Sequence, residues 1–235
     1  MDKKDFLKRA IPVLLSPSED SFFWMVDLSE IQEKEVIEAK SFLDKATLNK
    51  SMRLIFKEFQ NRSIITHALL RFYLGQFIKE YPQEIEMLYS DFGKPYLLNH
   101  PIHFNLSHTK HYAFFGFHLR YPLGVDIEVI QQNWDFIKTS DISRDLTTEP
   151  PGYSCSLWCA QEALLKAIGS GFLINQIPSL YPVQRCTKDS DFYISTGLEV
   201  YVYHEKIPGH KLAVCIKKDQ GFKMEFRQIH PQLLL

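Results

Sequence analysis

The sequence predicts an α+β protein made of two lobes that meet near Arg120, and two observations predict it. Helical periodicity is followed by short strand-like segments in the first half, and the same order returns in the second. Hydrophobic residues make up 45% of the 235-residue chain and aromatic residues 14%, ample material for packed cores. The two halves share no sequence repeat, so their likeness rests on the order of elements. The expected division is 1–119 and 120–235.

The N-terminus, Met1 to Ala10, is charged, and the apolar run Ile11 to Leu15 is too short for a signal segment or a membrane span. A cytoplasmic protein with no membrane partner is therefore expected. Ser21 to Leu28 mixes aromatic and apolar residues as a strand does, and Ile31 to Leu43 carries charges between Ile37, Phe42 and Leu43 like an amphipathic helix. From Lys45 to Lys79 a longer helical region holds seven basic residues (Lys45, Lys50, Arg53, Lys57, Arg62, Arg71 and Lys79) against one acidic, Glu58. Its apolar residues Ile55, Phe59, Ile65, Leu69 and Phe72 suit one buried stripe, which leaves a cationic outer surface. Tyr81-Pro82 ends the helix, because a residue before proline is pushed out of the α region.

Short strands are expected around Glu86 to Tyr89, His103 to Leu106, Tyr112 to Leu119 and Leu123 to Ile130, punctuated by Gly93, Pro95 and Pro101. Trp158 to Ile168 has helical spacing and ends at Gly169-Ser-Gly171. Asp191 to Ser195, Glu199 to His204 and Lys211 to Lys217 complete the second lobe as strands. A formal net charge of -1, from 27 basic and 28 acidic side chains, gives no global field for nucleic acid, so charge must act locally. Cys155, Cys159, Cys186 and Cys215 form no CxxC pair and are expected as reduced thiols.

Four local patterns carry chemistry. Asp126 and Glu128, two apart on a strand, leave the same face while Val125 and Ile127 take the other. Two carboxylates so placed suit a hard divalent cation such as magnesium, although a solvated strand face presents the same pair. Glu162 and Lys166 stand four apart on a helix, which is also the spacing of an ordinary surface ion pair. Ser107 and His108 follow an apolar strand end, where a phosphate could be bound and where a capped turn explains them equally well. Lys94 sits between Gly93 and Pro95, which fix its backbone. No G-x-S-x-G elbow or phosphate-binding loop G-x-x-x-x-G-K-S/T occurs.

In this order, Gly93-Lys-Pro95, Asn105-Leu-Ser-His108, Gly124-Val-Asp-Ile-Glu128 and Leu157-Trp-Cys-Ala-Gln-Glu-Ala-Leu-Leu-Lys166 resemble the surfactin-synthetase type of 4′-phosphopantetheinyl transferase. The likeness extends from about Phe42 to Cys215. It implies a pseudo-twofold pair of similar α+β lobes with the active site in the cleft between them. It also implies transfer of the 4′-phosphopantetheine group of coenzyme A to a serine of an acyl or peptidyl carrier protein, releasing 3′,5′-ADP. By resemblance Asp126, Glu128 and Glu162 hold Mg2+ on the pyrophosphate, Glu162 serves as base and Lys166 offsets charge on the leaving group. Lys94, Ser107 and His108 match phosphate- and nucleotide-contacting positions, and Lys50 and Arg62 fall where basic side chains meet the 3′-phosphate. A monomer is expected. Two departures stand out: Gln161 replaces the usual lysine before the helical glutamate, and the interval from Glu128 to Trp158 is short and carries Glu149-Pro-Pro-Gly152. The first leaves an alternative, a catalytically impaired module that binds coenzyme A or the carrier protein.

Overall fold

The computed structural model describes residues 4–13, 20–130, 153–169, 181–187, 190–195, 198–204 and 207–217. Strands β1 (Ala10–Pro12), β2 (Ser21–Asp27), β5 (His103–His108) and β6 (Tyr112–His118) form an antiparallel sheet in the order β1-β2-β6-β5. Strand β3 (Leu88–Tyr89) pairs with β4 (Pro95–Tyr96) in a small hairpin. A second antiparallel sheet has the order β7-β11-β10-β9-β8, from β7 (Leu123–Val129), β8 (Tyr181–Thr187), β9 (Ser190–Ser195), β10 (Leu198–His204) and β11 (His210–Lys217). The helices are α1 (Glu33–Lys40), α2 (Lys45–Met52), α3 (Lys57–Ile78) and α4 (Tyr153–Ile168). Mixed helix and sheet, as expected, is what the chain forms.

Side-chain alternation decides how these layers stack. On β2 and β6, Trp24, Val26, Phe115 and Phe117 face a core shared with α3, where Trp24 stacks on Tyr73 at 4.4 Å between ring centroids. The residues between them, Phe23, Met25 and Phe114, face the second sheet and pack with Val125, Ile127, Leu212, Val214 and Ile216. The far face of that second sheet, through Val200, Val202, Ala213 and Cys215, covers Ala160, Ala163, Leu164 and Ala167 of α4. Each sheet thus has one face on a helix and the other on its neighbour. Gly124 lies where α4 crosses β7: a Cβ there would come within 2.0 Å of the Ala163 carbonyl oxygen and 2.4 Å of the Ala167 nitrogen. Only glycine permits this approach.

The basic region departs from the single helix expected of it. Asp44 caps α2 by accepting from the Thr47 N–H at 2.9 Å, and the chain breaks after Met52 before starting again at Lys57. Ile55 therefore falls between helices and is 89% exposed, and Phe59 is 47% exposed, so the buried stripe begins only at Ile64 and Ile65. Arg71 is buried, pairs with Asp44 and donates to the carbonyls of Pro82 and Ile85 at 2.8 and 3.0 Å, so it is internal structure and not surface charge. Lys45, Lys50, Arg53, Lys57 and Lys79 remain exposed.

Three strands lie outside those expected from the sequence, among them β4, which is only two residues long and opens at Pro95. Strand β1 is only three residues long, and β8 carries Pro182, which an edge strand tolerates because it need not complete a ladder on both sides. Helix α4 begins at Tyr153, five residues ahead of the expected Trp158. Glu149-Pro-Pro-Gly152 lies outside the described residues. Cys155, Cys159 and Cys215 are buried free thiols. Among the described residues no helix is long and apolar enough to cross a membrane.

Candidate active site

The alternation that places Val125 and Ile127 between the sheets turns Asp126 and Glu128 toward α4. Asp126 is 2% exposed. Its Oδ1 accepts from Ser107 Oγ at 2.7 Å and from Lys166 Nζ at 2.6 Å, and Lys166 Nζ also donates to Ser107 Oγ at 2.9 Å. Three separate sequence patterns, on β5, β7 and α4, thus meet at one carboxylate. Among the described residues no ion pair joins Glu162 to Lys166, so the i,i+4 surface pair allowed by the spacing does not form. Lys166 reaches across to the strand instead.

Glu128 Oε1 accepts from the Trp158 indole Nε1 at 3.0 Å. Burial, together with the Asp126 charge, pushes the Glu128 carboxyl up to about 7, while Trp158 and Lys166 oppose the rise. Burial also raises Glu162; the Lys166 charge pulls it down and the Asp126 charge pushes it up. These carboxyls feel one another.

Lys94, which the resemblance places among the phosphate-contacting residues, is held here through main-chain carbonyls. The turn that aims it needs Gly93 at φ 78, and its Nζ donates to the carbonyls of Leu123, Lys166 and Ala167 at 3.2, 2.6 and 3.0 Å. It clamps the C-terminal end of α4 to β7, where cations are favoured by the exposed carbonyls. Burial lowers it to about 8. His108 stands exposed at the end of β5, next to Ser107.

The remaining predicted residues sit apart. Lys50 Nζ lies 5.8 Å from the centre of the Tyr89 ring, at a pocket of about 450 Å³ lined by Thr47, His67, Arg71 and Met87 among others. Arg62 is paired with Glu58 and lies 5.9 Å from the Phe59 ring centre. Neither makes a hydrogen bond or ion pair with the carboxylate group among the described residues.

Two participants carried no role in the sequence reading. Trp158 lies four residues before Glu162 and eight before Lys166, so the three share one row of α4, and a half-buried indole N–H turned to the strand finds its acceptor in Glu128. Asn105 is buried, and its Oδ1 accepts the Val125 N–H at 2.9 Å, tying β5 to an edge strand of the other sheet beside Asp126. Its spacing of two from Ser107 was the available signal.

Among the described residues no three His, Cys, Asp or Glu side chains are gathered as a metal-ligating group. The donor set nevertheless fits a hard divalent cation. Asp126 Oδ2 is buried with no hydrogen-bond partner, and two further carboxyls lie within its electrostatic reach, all oxygen donors of the kind magnesium takes.

A buried carboxylate bonded to a serine and a lysine, with two more carboxyls beside it and a helix clamped over it, is a set suited to phosphate-transfer chemistry. Whole-chain comparison points to the same class that the four motifs resemble, the 4′-phosphopantetheinyl transferases. The chain is 25% identical over 199 residues to the 4′-phosphopantetheinyl transferase ffp of Bacillus subtilis, covering 79% of this chain and 87% of that protein. It is 25% identical over 174 residues to the 4′-phosphopantetheinyl transferase HetI of Nostoc, covering 68% and 73%, and 26% identical over 164 residues to the 4′-phosphopantetheinyl transferase gsp of Aneurinibacillus migulanus, covering 66% and 68%. No protein-family model matches the chain.

Proposed function

We propose that the chain is a magnesium-dependent 4′-phosphopantetheinyl transferase that acts on a serine of an acyl or peptidyl carrier protein. What carries the reading is the convergence of Ser107, Asp126 and Lys166, within 2.6 to 2.9 Å of one another, from three separate motifs that resemble that family. In this reading the two sheet-and-helix units are the two lobes, 1–119 and 120–235, in pseudo-twofold relation, and the reaction takes place in the cleft between them.

Asp126, Glu128 and Glu162 would hold the Mg2+, which when bound neutralises charge on the coenzyme A pyrophosphate. Trp158 keeps Glu128 oriented, and Asn105 and Ser107 fix the height of β7 and of Asp126. Glu162 takes the proton of the carrier serine as that oxygen bonds to the phosphorus bearing the pantetheine. The bond from that phosphorus to the bridging oxygen breaks, and its electron pair leaves with 3′,5′-ADP. Lys166 offsets the charge gathering on that oxygen, since a loose phosphoryl transition state gains most from fixed cations. Lys94 holds the helix that presents both residues. His108 and Ser107 face the phosphates, and Lys50 and Arg62 the 3′-phosphate.

Incubation of the chain with coenzyme A, magnesium and purified carrier proteins is expected to add one phosphopantetheine to one serine, read as intact protein mass. Bound coenzyme A with no mass gain in any carrier would leave only a binding module. Lys50→Ala and Arg62→Ala are expected to weaken coenzyme A about tenfold or more in titration calorimetry, since a charge-assisted bond to phosphate contributes about 1.5 to 3 kcal/mol. Dephospho-coenzyme A should lose less. Equal loss for both ligands would assign the two side chains to structure.

A further inference from the structure

Lys166 does more in this arrangement than await a substrate. Its ammonium is the cation on Asp126, whose side chain is 3% exposed, while Lys94 is spent on three main-chain carbonyls of β7 and α4 and Lys211 stands opposite Glu128 on β11. The Lys166 side chain is itself 27% exposed, so one side of it is open. A divalent cation on Asp126 would stand within a few ångströms of that ammonium, and like charges repel strongly where water is scarce. The two cannot both hold Asp126 at full strength. A lysine has a flexible four-carbon stem and a rotatable ammonium, so Lys166 can leave Asp126 and Ser107 for an anion above them.

We propose that Lys166 is the resident counter-ion of Asp126. A divalent cation replaces it on Asp126, and the released ammonium goes to phosphate oxygens of the ligand. Cation and phosphate ligand then each favour the other's binding, because whichever arrives second finds the displacement of Lys166 already made. This rests on the reading above in which Asp126, Glu128 and Glu162 hold a divalent cation. It adds that the free protein holds that cation weakly, and that Lys166 sets how weakly.

Manganese serves as the probe, with free Mn2+ read by electron paramagnetic resonance and no carrier protein present. Lys166→Gln keeps a hydrogen-bond donor toward Asp126 and Ser107 but lacks the charge, Lys166→Met lacks both, and Lys166→Arg keeps the charge. Circular dichroism of each reports folding, and Lys166→Gln serves if Lys166→Met does not fold. Without coenzyme A, Mn2+ is expected to bind Lys166→Gln about tenfold more tightly than wild type, with Lys166→Arg near wild type. Saturating coenzyme A, corrected by a protein-free titration for the Mn2+ it chelates, should tighten Mn2+ on wild type about tenfold and on Lys166→Gln by well under that. Equal Mn2+ affinity in wild type and Lys166→Gln overturns the counter-ion role and leaves the carboxylate metal site standing. No saturable Mn2+ binding by any folded variant overturns both.

Discussion

Glu162→Gln is expected to lower kcat for transfer to a carrier protein by at least about 100-fold, the scale of general-base loss. That corresponds to about 2.7 kcal/mol of transition-state stabilisation. Glutamine keeps the size and hydrogen bonding of the side chain while removing the base and one carboxylate charge. Lys166→Met should lower kcat more than coenzyme affinity, because the charge that Lys166 meets is larger in the transition state than in the bound substrate. A solvated i,i+4 pair would instead contribute about 0.5 kcal/mol or less to stability and nothing to turnover. The geometry already argues against that: Lys166 bonds to Asp126 on the strand, and Glu162, half-buried, is raised by its surroundings. Single-turnover transfer measured beside thermal unfolding decides between the two, and near-normal chemistry in both variants would remove Glu162 and Lys166 from the reaction.

Gly124→Ala is expected to destabilise the fold by about 3 kcal/mol or more, at the upper end of overpacking costs. The methyl would fall 2.0 and 2.4 Å from backbone atoms of Ala163 and Ala167, and a helix backbone cannot yield as a flexible side chain can. For a chain of this size that loss lowers Tm by about 6 to 12 °C. Relief by shifting α4 away from β7 would carry Lys166 off Asp126, so activity should fall even at temperatures where the variant stays folded. An unchanged Tm and normal turnover would mean that α4 does not press on Gly124.

The contrast between these two sites marks how far residues alone reach. Asp126 and Glu128 were legible because strand alternation is strictly two-fold: once Val125 and Ile127 are apolar, the carboxylates must share the other face. The helix holding Glu162 and Lys166 was legible by its spacing, and the mixture of helix and sheet by the order of periodic segments. Lys94 shows the limit, since Gly93 and Pro95 announce a fixed lysine but the carbonyls that receive it belong to residues 29, 72 and 73 positions away. The same holds for Arg71, counted with the surface cations but buried against Asp44, a partner 27 residues earlier in the chain.

By itself the sequence determined the α+β class, the two carboxylates on one strand face, the helical row that carries Glu162 and Lys166, and the resemblance that gives them a reaction. These follow from local periodicity, which a chain cannot hide. Only the tertiary structure decided which partner each charge takes: Lys166 on Asp126 and not on Glu162, Lys94 on the end of α4, Trp158 on Glu128, and Arg71 inside rather than outside. The physical reason is that a buried charge or N–H must find a partner, and which one lies in reach is set by how the two sheets and α4 stack, a matter of contacts far apart in the chain.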